Sequence, residues 1–528
     1  MRVDVIDNFQ DFNSLRNNWD AVYEADPEAR FFLSWMWLSQ WLPALRTHWL
    51  ILAVKPKADA SDYIAFFPLR IGTKLRKGVG FYNEIHMAGN YSADYTGFIC
   101  TPDAQHFAIP ALARYLKKLN WACIHLEYIS ASEERRRLFF DHFSPKKFNI
   151  VEGQRINKGD INNGDINNCL CPSVILPGDW DAYLNNNLSS NTRQKVRRFL
   201  RTIENDSTFR ITHTQADTVE RDLKILLEFW RSKWGARKGK RLGSIMKSNY
   251  RMLLRSFQNG SLFLPVLWRE ETPLCALASL IDRQKKSLLF YIGGRDESFN
   301  NPPPGTVLHA HSIQYAISQG ITTYDFLRGN EQYKYSFGGQ DHRIHCFQLS
   351  TKTGRNLGEK LDRRTLRDVL QHATKAHQAG DLDAAERGYR QVLDVDSTNQ
   401  GALYCLGQLM VTKGNHNAAV RHFRSLVAVK PDLSKAWFRL GNSLKALGLF
   451  AEAADAYREV IKRQPGSTAA HYGLGNTLMK LGKVDAAIAA FAALRSLRPD
   501  DTKIEAYLAD ALGKAKNPPL KGEIVTRH

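Results

Sequence analysis

Two periodicities divide the chain. Over the last third, apolar residues recur at helical spacing and the same positions return every 34 residues. Gly380, Gly414, Gly448 and Gly482 are each followed five residues on by an alanine (Ala385, Ala419, Ala453, Ala487) and four further on by an aromatic (Tyr389, Phe423, Tyr457, Phe491). Eight residues beyond each aromatic stand Ser397, Pro431, Pro465 and Pro499. This predicts repeated helix pairs. Leu440, Gly441 and Leu444 share one face of a first helix, Ala453 lets a second helix approach, and Tyr457 fills the gap to the next pair. Gly448 ends the first helix at positive φ and a proline stops the second.

These positions resemble the tetratricopeptide repeat, and AWFRLGNSLKALGLFAEAADAYREVIKRQP (Ala436 to Pro465) follows its pattern almost throughout. Four repeats are expected at 366–399, 400–433, 434–467 and 468–501, the first departing most, with Val369 and His372 where Trp and Leu would stand. A cap helix follows, the repeat domain spanning 366–515, with a flexible tail at 516–528. Such arrays present a concave surface and no active site, so protein partners are expected there.

Ahead of the repeats, runs of strand character (Leu50 to Val54, Tyr63 to Pro68, Cys123 to Tyr128, Leu262 to Trp268, Leu274 to Ile281, Ser287 to Ile292) alternate with helical ones (Trp35 to Leu45, Ala108 to Lys118, Arg193 to Glu204, Leu223 to Trp234, Val307 to Ser318). Alternation of this kind predicts an α/β or α+β core of an enzyme-like kind, and α/β is the fold class expected here. Between Lys158 and Cys171 the chain reads GDINNGDINN, a tandem duplication of turn-forming residues at Gly159 to Asn168. It predicts a surface loop dividing two halves, 1–172 and 173–360. Trp35, Trp37 and Trp41 sit at helical spacing and are expected in the core, or in a cleft wall.

Composition narrows the class. With 528 residues, 43% hydrophobic and 24% charged, the chain is globular. Its acidic beginning does not serve as a secretory signal, and its apolar runs are shorter than the ~20 residues of a membrane span. The expectation is a cytoplasmic protein, or one peripheral at the inner membrane. Seven cysteines without a CxxC predict reduced, mostly buried thiols. His309 and His311 fall on different faces of a helix, and no HExxH, P-loop or GxSxG is present, so no metal is expected. The net charge is +20; Arg193 to Arg251 alone carries 16 Lys/Arg against 6 Asp/Glu, a net +10. That stretch is either a solvated helical face or a site for an anion such as CoA phosphates, a lipid-linked sugar pyrophosphate or tRNA. Arg197 and Arg198 are its candidate contacts.

The segment with most chemical content is YIGGRDESFNNPPPGTVLHAHSIQYAISQGITTYDFLRGNEQYKY, Tyr291 to Tyr335. A strand, a polar loop and a helix start expose backbone N–H groups at the positive end of a helix dipole, a suitable cradle for a pyrophosphate. The segment resembles the signature of CelD-like acyltransferases of bacterial polysaccharide synthesis, a FemAB-related branch of the GNAT superfamily. There a Pro-Gly precedes a helix, an Asp-Phe-Leu strand ends in Gly-x-Glu, and Tyr-Lys follows. PEARFFLSWMWLSQWL, GNYSADYTGF and SSNTRQKVRRFLRTIEN fit the same family, and the likeness runs over roughly Val22 to Leu349.

The resemblance implies tandem GNAT-like mixed-sheet halves, with the acyl-CoA site, acetyl-CoA being the expected donor, in the second. Pro304, Gly305, Thr306 and Val307 would form the pyrophosphate loop. Asp325 would end a strand, with Glu331, Tyr333 and Lys334 just after it. A carboxylate there would take the proton of an attacking amine or hydroxyl, and Lys334 would stabilise charge on the thioester oxygen. Asp94 and Tyr95 would reach the same cleft from the first half. Asp325 pairing with Arg328 is the structural alternative. No cysteine or serine stands in a nucleophile setting, so direct attack in a ternary complex is expected. The implied acceptor is an amino or hydroxyl group of a nucleotide- or lipid-linked sugar in exopolysaccharide or cell-envelope synthesis. Three consecutive prolines withhold N–H donors from the loop. This keeps two alternatives open: FemAB-like aminoacyl transfer from tRNA, and a non-catalytic adaptor.

Overall fold

The computed structural model describes residues 1–45, 47–89, 92–157 and 165–516, except the side chains of 236 and 237. Of the tandem duplication, residues 159–164 lie outside the described residues, as does the expected tail beyond 516. The chain gathers into two compact units, Met1–Gly72 with Glu84–Leu357, and Thr73–Asn83 with Gly358–His528.

Two mixed sheets make up most of the first unit, the strand residues at 73–76 and 80–83 being grouped with the second unit. One has the order Arg2–Ile6, His48–Lys55, Ala65–Arg76, Gly80–Met87, Cys123–Ile129, His345–Thr351, Phe148–Gly153, with Ile99–Cys100 paired to Ala65–Arg76. The other has the order Phe209–His213, Pro265–Arg269, Thr272–Asp282, Ser287–Arg295, Thr323–Asp325, Leu170–Ile175, Gln340–Arg343, with Leu262–Phe263 paired to Thr272–Asp282. Each sheet contains a parallel pair: Gly80–Met87 with Cys123–Ile129, and Ser287–Arg295 with Thr323–Asp325. Parallel neighbours need a crossover. The helix Gln105–Leu116 lies between the first two in sequence, and Pro304–Ser318 between the second two. The chain passes from the second sheet back to the first through Ile344, the single residue between Gln340–Arg343 and His345–Thr351.

Both faces of the central strands of these sheets are covered, which explains why several of them read as continuous apolar runs. Leu50, Leu52 and Val54 meet Ile109, Leu112 and Leu116 of the crossover helix. Ile51 and Ala53 point the other way, into a core with Trp19, Phe32 and Leu226. The run Leu262 to Trp268, expected as one strand, is two, Leu262–Phe263 and Pro265–Arg269, divided just before a proline that cannot donate to a ladder. The helix from Trp35 ends at Trp41 and tightens into a 3₁₀ turn, Leu42–Ala44, at Pro43. Gly294 admits the helix Val219–Lys238 onto its strand: a Cβ there would stand 2.5 Å from that of Phe229. All seven cysteines are free thiols, six of them buried. Among the described residues no helix is long and apolar enough to cross a membrane.

The second unit carries helix pairs Leu366–Gln378 and Leu382–Val395, Gln400–Thr412 and His416–Val429, Ser434–Ala446 and Phe450–Arg463, Thr468–Lys480 and Val484–Leu497, then Thr502–Lys516. The four periodic glycines have φ between 71° and 84°. The small residue of each first helix faces the aromatic of the second. A Cβ on Gly407, Gly441 or Gly475 would come within 2.6, 2.9 or 2.4 Å of Phe423, Tyr457 or Phe491. Gly473 of the next pair lies against Tyr457 as well. This is the α/β region followed by an all-α repeat array that the two periodicities predict.

Candidate functional site

The strand Ser287–Arg295 has nine residues, yet it bonds to Thr323–Asp325 only through Ser287, Leu288 and Leu289. Its later residues continue beside Thr272–Asp282 as far as Arg295, past a register shift at Ala278/Ser279. Ladder pairing between the parallel strands therefore stops at Leu289↔Asp325. The crossover helix begins at this end, since it follows the carboxyl end of the first strand. Crevices outside the carboxyl ends of parallel strands are where α/β sheets hold ligands.

That helix starts at Pro304, three residues earlier than the expected core Val307 to Ser318. Proline suits the first turn, where its missing N–H has no intrahelical role. Pro303 and Pro304 remove two first-turn donors, the Val307 N–H bonds to the Pro303 carbonyl, and the N–H groups of Gly305 and Thr306 remain. The helix has no side-chain cap, and the space a Gly305 side chain would enter is open. Val307 and Leu308 pack with Phe199 and Ile203 of the helix Ser190–Asn205. On that same helix Arg197 pairs with Asp181 at 2.9 Å, and Arg198 lies exposed over the Phe199 ring, 5.0 Å from its centroid.

At the end of Thr323–Asp325 the polar groups converge. Asp325, 6% exposed, accepts the Tyr95 hydroxyl at 2.7 and 3.0 Å and the Leu327 N–H at 2.7 Å. Burial pushes its carboxyl above the usual aspartate value, against the Tyr95 and Leu327 hydrogen bonds and the Arg30 and Lys334 charges. Tyr95 is buried too, and burial with the Asp325 charge holds its hydroxyl far up. Arg328 pairs with Asp94, not with Asp325, and its guanidinium lies 3.9 Å from the Tyr128 ring centroid. Tyr128, in this stack, and Leu327, next to Arg328 in the chain, have φ of 63° and 56°. Left-handed backbone in large non-glycine residues costs about 1–3 kcal/mol each and gathers at functional sites. The Cys171 thiol is held well up by burial and by Asp325 and Asp94, so it is no thiolate nucleophile. His342, pushed down to about 4 by burial and the Arg30 charge, stands 3.0 Å from Ser130 Oγ.

Lys334 is only 2% exposed. Its ammonium donates to the carbonyls of Arg328 (2.8 Å), Gly329 (2.9 Å) and Leu327 (3.4 Å), and Glu331 lies 3.0 Å away. It therefore fastens the turn after Asp325. Tyr333, 38% exposed, lies with its ring against His309, centroids 5.3 Å apart. His309 itself is buried, pushed down to about 3 by burial and Lys334, with Nδ1 3.0 Å from the Tyr324 hydroxyl. His311, on the other face, meets His213 at 2.8 Å.

The structure thus brings Asp94, Tyr95 and Asp325 together and ties Lys334 and Glu331 to the same turn. Pro304 to Val307 open the crossover helix, while Arg197 and Arg198 lie on a different helix. Sequence reasoning missed Tyr128, Cys171 and His342. Nothing in their local pattern marks them, because strand pairing across the unit places them there. A cavity of about 380 Å³ elsewhere in the unit is lined by Arg16, Trp35, Gln40, Asp282 and Gln284. None of the expected site residues lines it. Trp37 is core, stacked on Trp41 at 5.9 Å.

Comparison with known proteins adds two matches. Residues 190–335 match the model of the acetyltransferase (GNAT) domain, and residues 438–502 that of the tetratricopeptide repeat. No curated protein matches. Similar solved structures include MamA, 26% identical over 27% of this chain and 84% of that one, with a TM-score of 0.27. MamA of Desulfovibrio magneticus RS-1 is 18% identical over 29% and 85%, TM-score 0.27. YrrB, described as a TPR protein with an unusual peptide-binding site, is 20% identical over 29% and 78%, TM-score 0.27. The chain therefore carries an acetyltransferase-type GNAT domain at 190–335, within the mixed-sheet unit, joined to C-terminal tetratricopeptide repeats.

Proposed function

We propose that this protein transfers an acyl group from acyl-CoA, acetyl-CoA in the simplest case, to an amino or hydroxyl group of a sugar intermediate in envelope or exopolysaccharide synthesis. The repeats would dock protein partners. The observation that carries the reading is the end of pairing between Ser287–Arg295 and Thr323–Asp325, with the crossover helix starting at that end and Asp325 closing the shorter strand. The free N–H groups of Gly305 and Thr306 and the helix dipole suit a pyrophosphate. The arginine-rich helix Ser190–Asn205, packed on Val307, would add positive field for the CoA phosphates.

In the reaction the acceptor's nitrogen or oxygen attacks the thioester carbonyl, a C–N or C–O bond forms, the C–S bond breaks, and CoA leaves as a thiolate that takes a proton. Asp325 is assigned as receiver of the acceptor's proton, with Tyr95 holding its carboxylate in place. Its raised pKa brings it closer to working pH than an ordinary aspartate. Lys334 is assigned a positioning role through the carbonyls of 327–329 rather than contact with the thioester, and Asp94 orients Arg328 beside the same turn. Glu331 and Tyr333 would line the acceptor side.

A second reading, a scaffold without catalysis, is favoured by how fully Asp325 and Lys334 are satisfied inside the fold. Release of CoA thiol from acetyl-CoA, measured with hexosamine and hexose acceptors, separates the two. Transfer should be present and fall about 100-fold or more in Asp325→Asn. Undiminished turnover in that variant sinks the site assignment. Absence of release with every acceptor favours the scaffold.

A further inference from the structure

The first sheet carries a cluster that acyl transfer does not use. Glu84 and His86 lie on the strand Gly80–Met87, and Cys123 and His125 on its parallel neighbour Cys123–Ile129, in register as Glu84↔Cys123 and His86↔His125. The period of two turns all four to one face, while Ile85 and Ile124 between them fill the core on the other. His86 Nε2 stands 3.3 Å from Glu84 Oε2, and His125 Nε2 stands 3.6 Å from Glu84 Oε1. The two imidazoles stack at 4.6 Å with planes 13° apart, and one ligand atom from each of the three residues lies within 4.8 Å of the others. Cys123 Sγ is 3.4 Å from His125 Nε2.

The distances decide between two readings. A charge-assisted N–H···O bond would close to about 2.7–2.9 Å. Four ligands on a tetrahedral ion with bonds of about 2.0–2.1 Å stand roughly 3.3–3.4 Å apart. The carboxylate–imidazole gaps of 3.3 and 3.6 Å are longer than such a bond and near the ligand spacing around an ion, which modest rotation of the rings would complete from a set already within 4.8 Å. We infer that Glu84, His86 and His125 form a binding site for a divalent ion of the zinc class, with Cys123 as a soft donor beside the remaining position. Two imidazoles and a neighbouring sulfur select Zn²⁺ or Co²⁺ over Mg²⁺ and Ca²⁺, which take oxygen ligands. The site clamps two adjacent parallel strands of the first sheet and is independent of the acyl-transfer reading.

The test uses the untagged full chain, stripped with chelator and titrated with Zn²⁺ alone or Co²⁺ alone. One ion per chain should be retained, Co²⁺ should give the visible spectrum of a tetrahedral site, and Mg²⁺ should not compete. His86→Gln and His125→Gln should each weaken binding about tenfold or more. X-ray absorption of the zinc-loaded wild type, which needs no variant to fold, should show two imidazoles in the coordination shell. Failure to bind at millimolar ion, binding unchanged in both histidine variants, or a shell without imidazole would each overturn the site. The second outcome would point to His213 and His311 instead.

Discussion

The Tyr95 hydroxyl is the contact on which the proposed site depends most, and Tyr95→Phe removes it while keeping the ring. In the wild type one O–H serves both oxygens of a buried carboxylate, at 2.7 and 3.0 Å, and the Leu327 N–H serves one of them at 2.7 Å. Losing a hydrogen bond to a charged, buried group costs about 1.5–3 kcal/mol, since no water replaces the lost donor. The phenylalanine ring keeps its packing against Phe32, so a cavity adds little. In an Asp325→Leu background the same change removes a hydroxyl already without its carboxylate and should cost nothing. The two substitutions should thus couple by about 1.5–3 kcal/mol in a double-mutant cycle. Urea unfolding followed by tryptophan emission reads the relevant unit, because ten of the eleven tryptophans lie in it and Trp437 alone in the repeats. Additive effects, with no coupling, would refute the claim that Tyr95 and Asp325 act as one buried pair.

Other substitutions test the frame around the site. Arg135→Ala leaves Asp26, fully buried and 2.9 Å from the guanidinium, without its counter-charge; the expected loss is about 3–5 kcal/mol in urea unfolding, and a loss below ~1 kcal/mol would contradict a buried pair. Gly475→Ala puts a Cβ 2.4 Å from the Phe491 ring in the repeats and should destabilise them by about 1–3 kcal/mol, read as a lowered melting temperature of the Trp437 signal. Unchanged melting would mean the packing is looser than described. Because burial raises the Asp325 carboxyl, the folded chain keeps a proton there to higher pH than the unfolded chain, which loses it at about pH 4. Its contribution to stability falls as pH rises through that window. Melting of wild type relative to Asp325→Asn should accordingly shift in the variant's favour as pH rises above ~4, and a pH-independent difference would refute the raised carboxyl.

The repeats were legible because each element of the pattern has a local cause. The positive φ of Gly380, Gly414, Gly448 and Gly482 and the contact of Gly441 with Tyr457 follow from residues a few positions apart. Strands such as Leu50 to Val54 were legible for the same reason, as unbroken apolar runs covered on both faces. The second sheet's crossover helix and the strands on either side of it could be read from strand, loop and helix signals between Tyr291 and Tyr335, though not their parallel pairing. What escaped is what depends on distant pairing. His345–Thr351 returns to the first sheet from beyond the second, and no signal near Phe148 announces it. The resemblance gave Lys334 to the thioester oxygen, and only the folded turn supplies the three carbonyls that hold it instead. Glu84 and His125 stand far apart in sequence, and an E-x-H and a C-x-H carry no metal spacing until two parallel strands put them side by side.

The proposed activity requires that acyl-CoA bind where the parallel strands stop pairing. Acetyl-CoA titrated calorimetrically into the full chain should bind in the micromolar to millimolar range. Gly305→Glu should abolish this binding without lowering the melting temperature, because its side chain enters open space and an acidic residue suits a helix N-terminus. Absence of heat at millimolar acetyl-CoA, or equal affinity in Gly305→Glu, would contradict the assignment.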